Sequence, residues 1–429
     1  MLRAVWSLRR WSRERAAPLA ATLCMLVLGM AFSLFWFRLR LGAAGVWRTP
    51  ADFWATYLAA TALAHGHLAG VYSHATALVT FPAIAYLFAP LAAVTSAAHL
   101  SVGPPVGPYW QPTSWLVAGP FEVLSSSTVL FATDAYARAM GLRLPRRWML
   151  AFGEAVALTN LALFWGHPED AIAVGLVLFA ALDASRFRYR RAAVVLGIAV
   201  AFQPLALLAI AAVGARLAVR EIVRLAPLLV LPSALLLLPL FAASPAAVWH
   251  AISSQPNYPL LNHATPFTML AHSATTMSVD AGPGRLVAVL AAAVFGVVAC
   301  RSAVDGHERE VSRLAMSNLP ELRVLLWAMA VAFEIRLVLE VTLTDFYVWP
   351  VLAVVVLLAA TRGRKALTGT VLVAIALTWF DQTHLVSGLG WWAVTVGVAG
   401  AAVVALRPSE PAHVAVRLPF DRSPRLRLA

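Results

Sequence analysis

Asp52, in the stretch RTPADFWATYLAA (48–60), is the first carboxylate beyond the first long apolar run of the chain. A carboxylate there can take a proton from a hydroxyl as a general base, or cap the helix that FWATYLAA begins. The sequence leaves both readings open. His167, Glu169 and Asp170 follow in GHPED (166–170). Such groups in one tight turn can steady a ligand, an anion or a divalent cation. Equally, they can serve as caps, with Pro168 at a first-turn position and acids at the helix N-terminus. Arg336, in FEIRLVLE, offers a forked donor that fits phosphate. It also stands four residues from Glu340, and Glu334 and Arg336 are expected as a buried pair. Asn262 and His263, in QPNYPLLNHATP, can meet ligand hydroxyls or simply form turns beside the prolines. Asn257, Tyr258, Asp345, Tyr72 and the loop residues His65 and His67 complete the unusual polar positions.

The elements that must carry these residues are membrane helices. Of 429 residues, 61% are hydrophobic and 12% charged, against roughly 45–50% and about 25% in soluble domains. Apolar runs near the roughly 20 residues that span hydrocarbon recur from end to end, and backbone in lipid must pair within its own segment. The fold class is therefore all-α, a polytopic bundle of about 10 spans plus re-entrant segments. The net charge of +13 comes almost wholly from Arg, with Lys365 the only lysine. Those cations cluster between spans, where they hold loops in the cytoplasm; no nucleic-acid partner is expected. Cys24 and Cys300 lie inside apolar runs and suggest neither a disulfide nor a metal knuckle.

With basic connections placed inside, residues 1–16 are a cytoplasmic N-terminus leading into an uncleaved anchor. Spans fall near 17–37, 112–133, 148–165, 170–185, 225–243, 285–303, 323–342, 346–361, 366–381 and 390–407. The loops 38–78 and 244–284 lie outside, and 408–429 form a disordered cytoplasmic tail. Two segments dip in and return: 79–100, expected to break at Pro82 and Pro90, and 192–213, a hairpin of half-helices about Gln203-Pro204. Trp391 and Trp392 are expected as interface anchors. On this map the candidate site residues share the external face or lie near it, where ionisable groups close to lipid imply function.

The order of features in ADFWATYLAATALAHGHLAGVYS, then TFPAIAYLFAPLA, resembles the opening of the GT-C glycosyltransferases. It resembles in particular glycosyltransferase family 87, the polyprenol-phosphate-mannose-dependent mannosyltransferases of actinobacteria. Asp52, Tyr57, Gly66 or Gly70 with Tyr72, and Pro82 with Pro90 supply the family's elements in order. GHPEDAIAVGLVLFAAL resembles its G-Q-x-N segment and GIAVAFQPLALLAI its helix ending in Lys-Pro. Two departures stand out. The double proline is reduced to Phe81-Pro82, and Gln203 replaces the Lys that would pair a lipid phosphate by charge.

The resemblance implies an integral plasma-membrane enzyme with its active site on the extracytoplasmic side. Its donor is a polyprenyl-phosphate sugar, with mannose expected, its acceptor a glycolipid or glycan, and its stereochemical course inversion. Asp52 is implied as base. Tyr57, Tyr72, His167, Glu169, Asp170, Gln203, Asn262, His263 and Arg336 are the candidates to hold substrates, with membrane lipids around the bundle. No cofactor and no metal is expected; a cation site would need three or more convergent ligands. The rival readings are a lipid or solute transporter, suggested by the broken helices but lacking an internal repeat, and a catalytically silent relative.

Overall fold

The computed structural model describes residues 11–12, 14–39, 47, 49–50, 52–73, 78, 80–103, 112–214, 217, 219–254, 256–257, 262–274, 279–280, 282–305, 319–383, 386 and 388–408. Apolar sequence turns into helix throughout: α1 (Ala16–Leu39), α2 (Phe53–Ala64), α3 (Ala83–Ala97), α4 (Trp115–Ser126), α5 (Thr128–Ala139), α6 (Leu144–Thr159), α7 (Pro168–Ser185) and α8 (Tyr189–Phe202). There follow α9 (Ala206–Gly214), α10 (Val219–Ala243), α11 (Pro245–Ser254), α12 (Gly282–Asp305), α13 (Leu319–Leu339), α14 (Trp349–Arg362), α15 (Arg364–Thr383) and α16 (Gly388–Ala405). Short strands decorate the loops: β1 (Pro256–Asn257), β2 (Asn262–Ala264), β3 (Ser273–Ala274), β4 (Val279–Asp280) and β5 (Thr342–Thr344). β4 pairs antiparallel with β1 and β3, and β2 with β5.

Among the described residues, four stretches are long and apolar enough to cross a membrane: Trp115–Ala139, Leu144–Trp165, Arg220–Ala243 and Gly388–Ala405. The architecture is all-helical, consistent with an all-α membrane protein. Two helices form its centre. α7 buries all its residues but Leu176 and Phe179, and α14 all but Arg362, as expected of helices apolar on every side. α14 packs on α5, α6, α7, α13, α15 and α16. At the perimeter, α10 leaves Ile222, Val223, Val230, Leu231, Leu235, Leu238 and Phe241 exposed, a surface fit for lipid rather than water. Glycine lets α8 and α10 approach: a Cβ at Gly197 would stand 2.4 Å from the Leu229 carbonyl oxygen.

The break expected at Gln203-Pro204 is present, with α8 ending at Phe202 and α9 starting at Ala206. The break expected at Pro90 is not. Pro90 lies inside the 15-residue α3 on an exposed face, where one missing hydrogen bond is tolerated. At 1.5 Å per residue α3 is about 22 Å long, short of the roughly 30 Å hydrocarbon core. Nor is Trp391 an interface anchor; it is 1% exposed and packs inside the bundle.

Arginines gather at one end. Arg15 and Arg147 both bind the buried Asp134, at 3.0 and 2.7 Å, and Arg138 pairs with Glu14 at 3.1 Å. This cluster joins the chain entering α1 to the end of α5 and the start of α6.

Candidate functional site

The opposite end of α6 carries the polar cluster. The helix runs on through a wider π turn, Asn160–Trp165, and stops at Gly166 in the left-handed conformation, φ 79°. Leu144–Trp165 spans 22 residues, so about 30 Å separates this point from the start of α6, beside the Arg147–Asp134 pair. Gly166 is required on two counts. Its φ suits glycine, and a Cβ there would sit 2.6 Å from the Phe53 Cβ and 2.7 Å from the Pro50 Cβ. That close approach sets the start of α2 against the GHPED turn.

Asp52 occupies the N-cap position of α2 but makes no side-chain cap bond. Its backbone N–H donates to the Trp165 carbonyl at 3.0 Å, and its Oδ2 lies 3.1 Å from His167 Nε2. His167 Nδ1 lies 2.7 Å from Glu169 Oε1, so one imidazole stands between two carboxylates. Side-chain exposure falls along the chain from 36% for Asp52 to 18% for His167 and 3% for Glu169. Asp52 is thus the most exposed of the three. Burial pulls the His167 pKa down, but the Glu169 charge, the hydrogen bonds to Asp52 and Glu169, and the Asp52 charge outweigh it; the net pKa is well above the ordinary imidazole value. As an imidazolium, His167 donates from both nitrogens. Its ring stacks on Phe346, centroids 3.9 Å apart, and Trp165 packs on the same phenyl at 5.6 Å.

Asp170 turns to the broken helix: Gln203 Nε2 donates to its Oδ1 at 2.8 Å. Gln203 therefore gives Asp170 an uncharged donor where a lysine would make an ion pair. Tyr72 supports the same break, donating to the Thr80 carbonyl at 2.9 Å while Thr80 Oγ1 donates to the Phe202 carbonyl at 3.3 Å. Arg336 pairs at 3.0 Å with Glu340, the i, i+4 partner that the sequence offered, and not with Glu334, the other expected partner. The side chains at i and i+4 lie one above the other on the helix, whereas the residue two positions away points elsewhere. Arg285 holds the other Glu340 oxygen at 3.0 Å and donates to the Tyr347 hydroxyl, and the Arg336 guanidinium lies 4.5 Å from the Tyr347 ring centre. The charge of Arg336 reaches Asp170.

Tyr57 is a packing residue here: it is 2% exposed, its hydroxyl bonds Thr95 at 2.7 Å, and Phe88 and Trp115 meet its ring edge-on. A shallow cleft bordered by Thr49, Trp54, Tyr57, Val102, Ser114 and Trp115 opens beside it. His65 and His67 are exposed, and His65 meets the carbonyl of Thr61 in its own helix. Asn262 and His263 lie in β2 opposite Thr344 and Leu343, which brings their backbone to the strand just before Phe346. Their side chains, that of Asn257, and all of Tyr258 lie outside the described residues.

Sequence reasoning missed Phe346, Tyr347, Arg285 and Glu122. The first two stand in TDFYVW (344–349), an aromatic run before a helix start, and Glu122 is a lone acid in an apolar run; both signals were present. Among the described residues no group of three His, Cys, Asp or Glu side chains could hold a metal ion. Asp52 and Glu169 address opposite nitrogens of one ring and do not converge. No protein-family model matches this chain, and no curated protein matches it in sequence.

Proposed function

We propose that the chain is a membrane-embedded glycosyltransferase that crosses the bilayer about ten times and works at its extracytoplasmic face. The donor is a polyprenyl-phosphate sugar, mannose by resemblance to glycosyltransferase family 87, and the acceptor a glycolipid or glycan. One observation carries the reading: Asp52 forgoes capping, stays partly exposed and is held by the His167–Glu169 pair, at the end of α6 opposite the Arg15–Asp134–Arg147 cluster.

In the reaction, the acceptor hydroxyl gives its proton to Asp52 while its oxygen attacks the anomeric carbon. The bond from that carbon to the phosphate oxygen breaks, and polyprenyl phosphate leaves with the electron pair. This leaving group needs no proton, so one base suffices where a glycosidase uses two carboxyls. Glu169 offsets the charge of His167, so Asp52 faces a nearly neutral pair rather than a bare cation. Attack from the face opposite the phosphate inverts the anomeric centre.

Mass analysis of cell-envelope glycolipids from cells with and without the chain tests this directly. The expected result is loss of one hexose-bearing species together with accumulation of its acceptor. An unchanged glycolipid profile would remove the proposal. The break at Gln203, with its bond to Asp170 in the bundle, favours a second reading as a transporter, which predicts movement across the bilayer with no new glycosidic bond.

A further inference from the structure

Behind the site, α4 packs against α7 and contributes Glu122. This side chain is fully buried, and neither of its carboxyl oxygens has a hydrogen-bond partner. Glu169 has a matching feature: Oε1 receives His167, while Oε2 is buried and unpartnered. The α4–α5 run starts at the site end, where Trp115 packs on Phe53 at 5.3 Å, and runs along α7: a Cβ at Gly175 would stand 3.0 Å from the Val129 backbone nitrogen and 3.1 Å from the Thr128 carbonyl oxygen. Six residues before Gly175 and before Thr128, Glu169 and Glu122 stand level on the two helices, and the charges of Glu169 and His167 act on Glu122. Among the described residues Glu154 and Glu334 are also buried without partners, but no charged neighbour joins either of them to a site.

A buried carboxylate with no donor is strongly disfavoured, like any uncompensated ion in a protein interior, and two neighbouring carboxylates disfavour each other's charge. A carboxylic acid beside a carboxylate removes both problems, because the O–H of one serves the lone pair of the other. We infer that Glu122 is a neutral carboxylic acid whose O–H is directed to the free side of Glu169, making it a positioning residue for the Asp52–His167–Glu169 chain. Its proton decides which of the two buried acids stays charged, and hence that His167 keeps a carboxylate on Nδ1 and turns Nε2 to Asp52. The bearing on catalysis rests on the transfer reading; the proton itself does not.

Infrared spectra of the full chain in lipid nanodiscs at neutral pH test the assignment. The wild type should show a carbonyl stretch of a protonated carboxyl, sensitive to deuterium oxide, that disappears in Glu122→Gln. In Glu169→Gln the same band should persist but shift, because its partner has become an amide. A Glu122→Gln spectrum identical to wild type in this region, or a band unmoved in Glu169→Gln, overturns the inference. Should Glu122→Gln fail to accumulate, Glu122→Asp takes its place and must displace the band; an unmoved band is again contrary. None of these arms needs turnover, so a failure of the transfer reading leaves them intact.

Discussion

His167 is the residue on which the site turns, because it hydrogen-bonds both Asp52 and Glu169. Its pKa is raised in the fold, which fixes the sign of its pH dependence. The stabilisation it supplies is complete below the unfolded value of about 6.5 and is lost as pH rises through the higher folded value. Thermal unfolding of wild type and His167→Gln from about pH 5 to about pH 10 should therefore show a constant gap below roughly pH 6.5 that narrows only on the alkaline side. A gap already closed by about pH 7 would contradict the charged imidazolium. The residue types were legible in the sequence, since Asp52 and GHPED are its least ordinary polar positions. Their contact was not, because they lie 115 residues apart and nothing in local spacing tells a cap from a partner. Only the tight approach at Gly166 decides it.

At the scale of elements, close helix contact is enforced by glycine. Gly197→Ala would push a methyl into the Leu229 carbonyl of α10, and such overpacking costs about 1–3 kcal/mol. Gly397→Ala on α16 meets nothing within 4 Å and should be neutral or slightly stabilising. Unfolding in detergent measures both, and equal effects would refute this packing of α8 on α10. Helices were the most legible part of the sequence, since long apolar runs in lipid have no other solution. The break at Gln203 was also readable, because Pro204 removes a donor and disfavours helix in the residue before it. Pro90 misled for the opposite reason: a proline on an exposed helix face is accommodated, as α10 shows by enclosing Pro227, Pro232 and Pro239. The π turn that aims GHPED has no signature of its own in NLALFW.

For the whole molecule, the arginine cluster and the Asp52 site occupy opposite ends of α6. If basic connections stay inside, the site faces outward. Single cysteines at Ala69 and Leu144, both exposed, placed in a Cys24→Ala, Cys300→Ala background, report this orientation. An impermeant thiol reagent on intact cells should label Ala69→Cys, and Leu144→Cys only after permeabilisation; the reverse pattern would put the site in the cytosol. The most direct measurement is sugar transfer in proteoliposomes supplied with polyprenyl-phosphate mannose and envelope lipid acceptors, comparing wild type with Asp52→Asn at equal folded protein. The account predicts an inverted glycosidic product from the wild type and a fall of at least about a hundredfold on loss of the base. Undiminished transfer by Asp52→Asn, or passage of the intact donor across the bilayer with no new glycosidic bond, would contradict it.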